Sequence, residues 1–139
     1  MKSRLLCLAL LLTQAACISS SVLDPEDRTP RETAQDREWS EALESELPGT
    51  YVSEQLTGQL AVVLRMVVYR FEPDGAYTGA ALLDGDPPHF EVISGSWSFK
   101  STALRLDDGP EAQVHVAPDG TLRLSGPDGT VILRRERPL

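Results

Sequence analysis

Residues 48–139 predict an all-β fold, a small antiparallel meander barrel of about eight short strands. Three observations carry the prediction. Short runs rich in Val, Leu, Tyr and Thr recur along the chain: "GTYVSE", "LAVVLRMVVYRFE", "AYTGAALL", "HFEVISGSWSFK", "TALRL", "AQVHV", "TLRLS" and "TVILRR". Gly-containing turn clusters separate them, as in consecutive hairpins. No stretch after Gly49 has the length and period of a crossover helix, which argues against parallel βαβ units. A meander of this kind closes naturally into a barrel and so removes exposed edges. A domain of this size folds alone.

The elements before the barrel read differently. "MKSRLLCLALLLTQAAC" has a basic start at Lys2 and Arg4 and an apolar run at residues 5–12, followed by Ala15 and Ala16. That run is too short to span a bilayer, which needs about 20 apolar residues. It predicts an export signal over residues 1–16. Ala15-Ala16-Cys17 then resembles a lipobox, in which the cysteine is acylated, although Gln14 stands where Leu, Val or Ile is usual. Once the signal is cut, Cys17 is the only cysteine left, and acylation accounts for it. Ordinary cleavage after Ala16 is the alternative, and would give a secreted protein with a free thiol at Cys17. Ile18 follows the cysteine, where an inner-membrane retention signal has Asp. The expected location is therefore the outer membrane.

Residues 17–33 are polar, charged and carry two prolines, which predicts a disordered tether. The spacing of Trp39, Leu43 and Leu47, with Thr33 as cap and Pro48-Gly49 as stop, predicts a short helix over 34–47. Trp39 would anchor it, either against the barrel or on a partner.

Charge excludes one class of function. Residues 18–48 hold nine acidic and three basic residues, and residues 49–139 hold twelve and eight. With the two basic residues of the signal, +2 − 6 − 4 gives the formal −8. An acidic chain without a basic stripe does not bind nucleic acid, because that affinity rests on neutralising phosphates. The same field repels anionic headgroups, so attachment to a membrane falls to the acyl chain on Cys17.

Three Pro-Asp-Gly triplets, at 73–75, 118–120 and 127–129, each stand between strand-like runs. Pro presets φ, Asp tolerates the next position, and Gly accepts the positive φ that completes a hairpin. A calcium loop needs several close oxygen ligands, and each triplet offers one carboxylate. They read as corners. His89 and His115 fall in different hairpins and make no zinc set. Asp84/Asp86 and Asp107/Asp108 lie in turn clusters, and no Gly-x-Ser-x-Gly elbow is present. The sequence thus offers no catalytic residues, no metal ligands and no cofactor site.

Two features suggest binding instead. In "GSWSF", Trp97 and Phe99 share a strand face with Gly95, Ile93 and Glu91, and Gly95 suggests a bulge. Trp97 either plugs one barrel end or lines a ligand space together with Phe99, Tyr69 and Tyr77. In "LAVVLRMVVYRFE", inward Val67, Tyr69 and Phe71 would leave Val62, Leu64, Met66 and Val68 as an outward apolar strip. Such a strip marks an interaction site unless the 34–47 helix covers it.

"LPGTYVSE", "YRFEPDGAYTG", "FEVISGSWSF", "ALRLDDG" and "GTLRLSGPDGTVIL" follow one another in a recurring order. That order resembles the lipocalin-like small barrels of bacterial envelope lipoproteins. Among them is the N-terminal domain of the copper-homeostasis and adhesion-sensing lipoprotein family. The resemblance covers roughly residues 48–135 and implies a small barrel in the cell envelope. It does not carry copper binding, since "EQLTGQL" stands where that family has Cys-x-x-Cys. The expectation is a non-enzymatic envelope lipoprotein whose barrel binds a partner protein. The alternative is a carrier of a small hydrophobic ligand.

Overall fold

The structure is a computed structural model and describes residues 36–138. The signal, Cys17 and the 17–33 tether lie outside the described residues. Eight strands follow one another: β2 (Gly49–Leu56), β3 (Leu64–Phe71), β4 (Ala76–Leu83), β5 (His89–Lys100), β6 (Ala103–Leu106), β7 (Glu111–Val116), β8 (Leu122–Gly126) and β9 (Gly129–Arg135). Each pairs antiparallel with the next, and β9 returns to pair with β2. The meander is therefore a closed barrel.

Closure follows from alternation. Tyr51, Val67, Phe71, Tyr77, Ala81, Trp97, Leu104, Val114, Leu122, Val131 and Leu133 form one buried cluster inside, drawn from every barrel strand. Eight strands enclose a space about wide enough for side chains or one small ligand. Two bulges relieve the curvature, one at Ser53/Gln55 on β2 and one at Leu64/Met66 on β3. Both bend a strand by making two of its residues oppose one.

The segment before β2 is not the predicted helix. Over 36–47 the chain makes a two-residue strand, β1 (Ser40–Glu41), paired with His115 and Val116 of β7, and then a 3-10 turn at Glu44–Glu46. So short a segment does not hold a helix by propensity, and tertiary contacts decide its shape. Leu47 is fully buried in the core, while Trp39 lies against Arg123 of β8, with the guanidinium carbon 4.9 Å from the ring centroid. Serving two different surfaces is incompatible with one helical face. The segment instead closes one end of the barrel.

Arg135 latches that end. Its guanidinium donates to the Pro48 carbonyl (3.1 Å), to the Glu46 carbonyl and to the Tyr51 hydroxyl (2.6 Å), and it lies over the Tyr51 ring. Tyr51 in turn donates to the Glu46 carbonyl at 3.0 Å. The last strand, the first barrel strand and the plug are thus joined by one side chain. Burial raises the Tyr51 phenol above its ordinary value despite the adjacent Arg135.

Among the described residues the α-helix that does form is α1 (Leu60–Val63), a single turn at the other end, ahead of β3. The Leu60 N–H donates to the Asp128 carbonyl (3.1 Å), which docks α1 on the β8–β9 turn.

The Pro-Asp-Gly triplets are turns. In the first, the Gly75 N–H donates to the Glu72 carbonyl and the Asp74 carboxylate accepts from the Ala76 N–H at 2.9 Å. The second repeats this with Gly120, Ala117, Asp119 and Thr121. The third differs. Gly126 pairs with Gly129, so Pro127 and Asp128 are the central residues of a two-residue hairpin.

Gly75 has φ +92°, a conformation that a β-branched residue resists. Gly75→Val should destabilise the domain by about 1–3 kcal/mol, and Asp74→Ala by about 1 kcal/mol. Urea unfolding midpoints of the two variants check the order. Equal effects would contradict this account of the turn.

Candidate functional site

The two barrel ends are packed differently. At the plugged end the interior is aromatic. The Tyr51, Phe71, Tyr77 and Trp97 rings form a chain about Phe71, with ring centroids 5.9 Å (Tyr51), 6.4 Å (Tyr77) and 6.1 Å (Trp97) away. Tyr69 stacks on Phe71 at 5.5 Å. Such rings fill volume and fix one another's orientation. The Trp97 indole N–H donates to the Glu72 carbonyl (2.9 Å) and its backbone N–H to Gly75, which pins it under the β3–β4 turn.

Toward the opposite end, inward positions carry Leu104, Leu106, Ala112, Leu124 and Val131, with Gly126 and Gly129 at the rim. These are too small to fill the same cross-section. An apolar cavity of about 220 Å³ remains, floored by Phe71 and Tyr69 and opening beside Leu60 of α1, Pro110 and Pro127. Glu111 and Asp128 stand at its mouth, and Glu111 is paired with Arg105 at 2.8 Å. Tyr69 brings a phenol to the lining, and burial raises its pKa. The site is an apolar space with one phenolic group, next to an acidic rim. Its volume and lining have room for a small apolar body.

Floor and wall are locked together by Asp107. Its carboxylate accepts from the Ser96 N–H (2.9 Å) and from the Tyr77 hydroxyl (2.8 Å). These bonds, Ser96 first, hold the Asp107 carboxyl below the usual range. Burial, and then the bond to Asp107, push the Tyr77 phenol up to about 12. Gly95 is required here for space, because a Cβ at that position would fall on the Asp107 carboxylate. It is not the bulge the sequence suggested. The β4–β5 register runs unbroken from Ala76↔Ser96 to Leu83↔His89.

The sequence-derived candidates are dispersed. Tyr69 lines the cavity. Trp97 and Tyr77 are buried in the floor region, and Phe99, the cross-strand partner of Leu104, packs part-buried on the core. The outward strip Val62–Leu64–Met66–Val68 does not exist as a strip. Val62 sits on α1, 67% exposed. The bulge at Leu64/Met66 turns Leu64 onto the inner face, where it packs on the core, while Met66 and Val68 stay outward. Trp39 lies on β8, away from these residues. The aliphatic lining, Leu104, Leu106, Leu124 and Val131, was missed. Its signal in the sequence is the strict alternation in "ALRL" and "TLRL".

Among the described residues no cluster of metal-ligating side chains occurs, and no helix is long and apolar enough to cross a membrane. No protein-family model, curated protein or solved structure matches this chain, so the resemblance to envelope lipoproteins rests on its motifs alone.

Gly95→Ala should lower the melting temperature by roughly 5–10 °C, and in an Asp107→Ala background by much less, because the obstructing carboxylate is gone. Additive effects would sink the steric account. Asp107 is more acidic folded than unfolded. Its contribution is therefore complete above the unfolded pKa of about 4 and is lost as pH falls through the folded value. The stability gap between wild type and Asp107→Asn should accordingly close below about pH 4.

Proposed function

We propose that this protein is a non-enzymatic, lipid-anchored envelope protein whose barrel binds a small apolar ligand. The observation that supports ligand binding most directly is the open apolar cavity of about 220 Å³ above an aromatic floor. Drug-sized ligands occupy pockets of roughly 300–1,000 Å³, so the fitting molecule is smaller, a short acyl chain or a one- or two-ring compound. Its polar group would meet the Tyr69 hydroxyl. Glu111 and Asp128 at the mouth would repel an entering anion, so the charge there favours a neutral ligand over an anionic one.

The anchor reading rests on Ala15-Ala16-Cys17 at the end of the apolar run. One acyl chain on its own gives reversible attachment, so a stable anchor at Cys17 takes a second chain or a second contact. The tether would then hold the barrel near the membrane while its acidic charge keeps it off anionic headgroups. Ile18 after the cysteine supports the outer membrane as the location, where the host has one.

Two experiments test these parts separately. Thermal unfolding with a homologous series of straight-chain alcohols should show a rise in melting temperature that peaks at one chain length. Leu124→Trp, which fills the cavity, should abolish that rise. A flat response across the series removes the carrier reading. For the anchor, Cys17→Ser should be exported yet leave the membrane fraction. A variant that still sediments with membranes after a carbonate wash rules out lipidation at Cys17.

A further inference from the structure

β5 is twelve residues long, but its neighbour β6 has only four and pairs only with Trp97–Lys100. On the β6 side, the stretch from His89 to Gly95 has no strand beside it among the described residues. The direction of its backbone groups can be read from Ser96. The Ser96 N–H donates to the Asp107 carboxylate and its carbonyl accepts from the Asp107 N–H at 2.8 Å, so both face the β6 side. The Trp97 N–H faces the other way, toward Gly75. By alternation, the N–H and C=O groups of Ser94, Val92 and Phe90 all point to the open edge. Asp107 ends that edge at Ser96.

The side chains of the same residues are also uncovered. Phe90 is 62% exposed and Val92 82%. Both face outward and complete two cross-strand apolar rows. One runs Val52–Val68–Ala80–Val92 across β2 to β5, and the other Met66–Leu82–Phe90. An edge with unpaired backbone and exposed apolar side chains is a template for another strand.

We propose that this edge joins a second copy of the chain, β5 against β5′ in antiparallel register about Val92. Three observations favour a second copy. The free edge runs from residue 89 to 95, and its midpoint is Val92, so a two-fold axis there uses the edge from end to end. Val92 points its N–H and C=O outward, so Val92↔Val92′ is a hydrogen-bonded pair, flanked by Phe90↔Ser94′ on each side, giving about six backbone bonds. The row Val52–Val68–Ala80–Val92 then continues without a break into Val92′–Ala80′–Val68′–Val52′, placing like with like across the dyad. Glu91 selects this register. Centring on Val92 sets it opposite Ile93′, whereas a shift that centres on Glu91 sets two carboxylates face to face.

The test is sedimentation equilibrium of the full chain in density-matched detergent micelles, with residue-resolved amide exchange on the same sample. The wild type should show a reversible monomer–dimer equilibrium. Val92→Lys, at a position too exposed to disturb the fold, should weaken dimerisation by roughly tenfold or more, since two like charges meet on the axis. Thr78→Lys, an exposed outward position on β4, should not. Amides of Phe90, Val92 and Ser94 should gain protection as concentration rises, while those of Glu91 and Ile93, which face β4, stay protected throughout. A chain monomeric at every concentration overturns the proposal. So does a dimer indifferent to Val92→Lys, or exchange at the three amides that does not depend on concentration.

Discussion

The pairing of β9 with β2 is the constraint on which the other features depend. It joins the ends of an eight-strand meander and gives almost every strand two neighbours, so backbone groups are satisfied within the wall. Arg135 sits at the end of that seam and ties it to the Glu46–Pro48 plug and to Tyr51. An interior exists only because this seam is shut. Among the described residues a long gap remains in the wall beside the first half of β5, because β6 is shorter than the strand it follows.

Inside the closed wall, the distribution of side-chain size makes one end solid and the other hollow. Leu47, Tyr51, Phe71, Tyr77 and Trp97 pack the plugged end. Leu, Val, Ala and Gly positions on β6 to β9 leave the cavity at the other. Protein interiors are ordinarily packed as densely as organic crystals, and the apolar side chains lining this open cavity forgo contacts that fuller residues would supply. Its persistence in a small domain is the physical reason to read it as a binding space. Asp107 keeps the two halves in register by joining Tyr77 in the floor to the β5 backbone at Ser96.

Much of the wall was legible in the sequence because strand alternation and turn chemistry are local. "HFEVISGSWSFK" and "AYTGAALL" coincide with β5 and β4, and Gly75 and Gly120 take the positive φ their triplets require. What was not legible depends on distant partners. No Gly or Pro marks the β3 bulge, and with apolar residues on both faces the alternation gives no sign that Leu64 has turned inward. Trp39, Leu43 and Leu47 have helical spacing, yet Leu47 is drawn into the barrel end and Trp39 onto Arg123, which no local rule foresees. Gly95 suggested a bulge and is instead the space an aspartate twelve residues later needs. The unpaired β5 edge was available from length alone, since a twelve-residue run precedes a run of five.

A crystal under xenon pressure tests the hollow-barrel account most directly, because apolar cavities take up xenon and polar or filled ones do not. The account predicts one interior xenon site, bounded by Tyr69, Leu104, Leu124 and Val131, with the plugged end empty of density. Side chains packed through that volume, or ordered water in place of xenon, would contradict it.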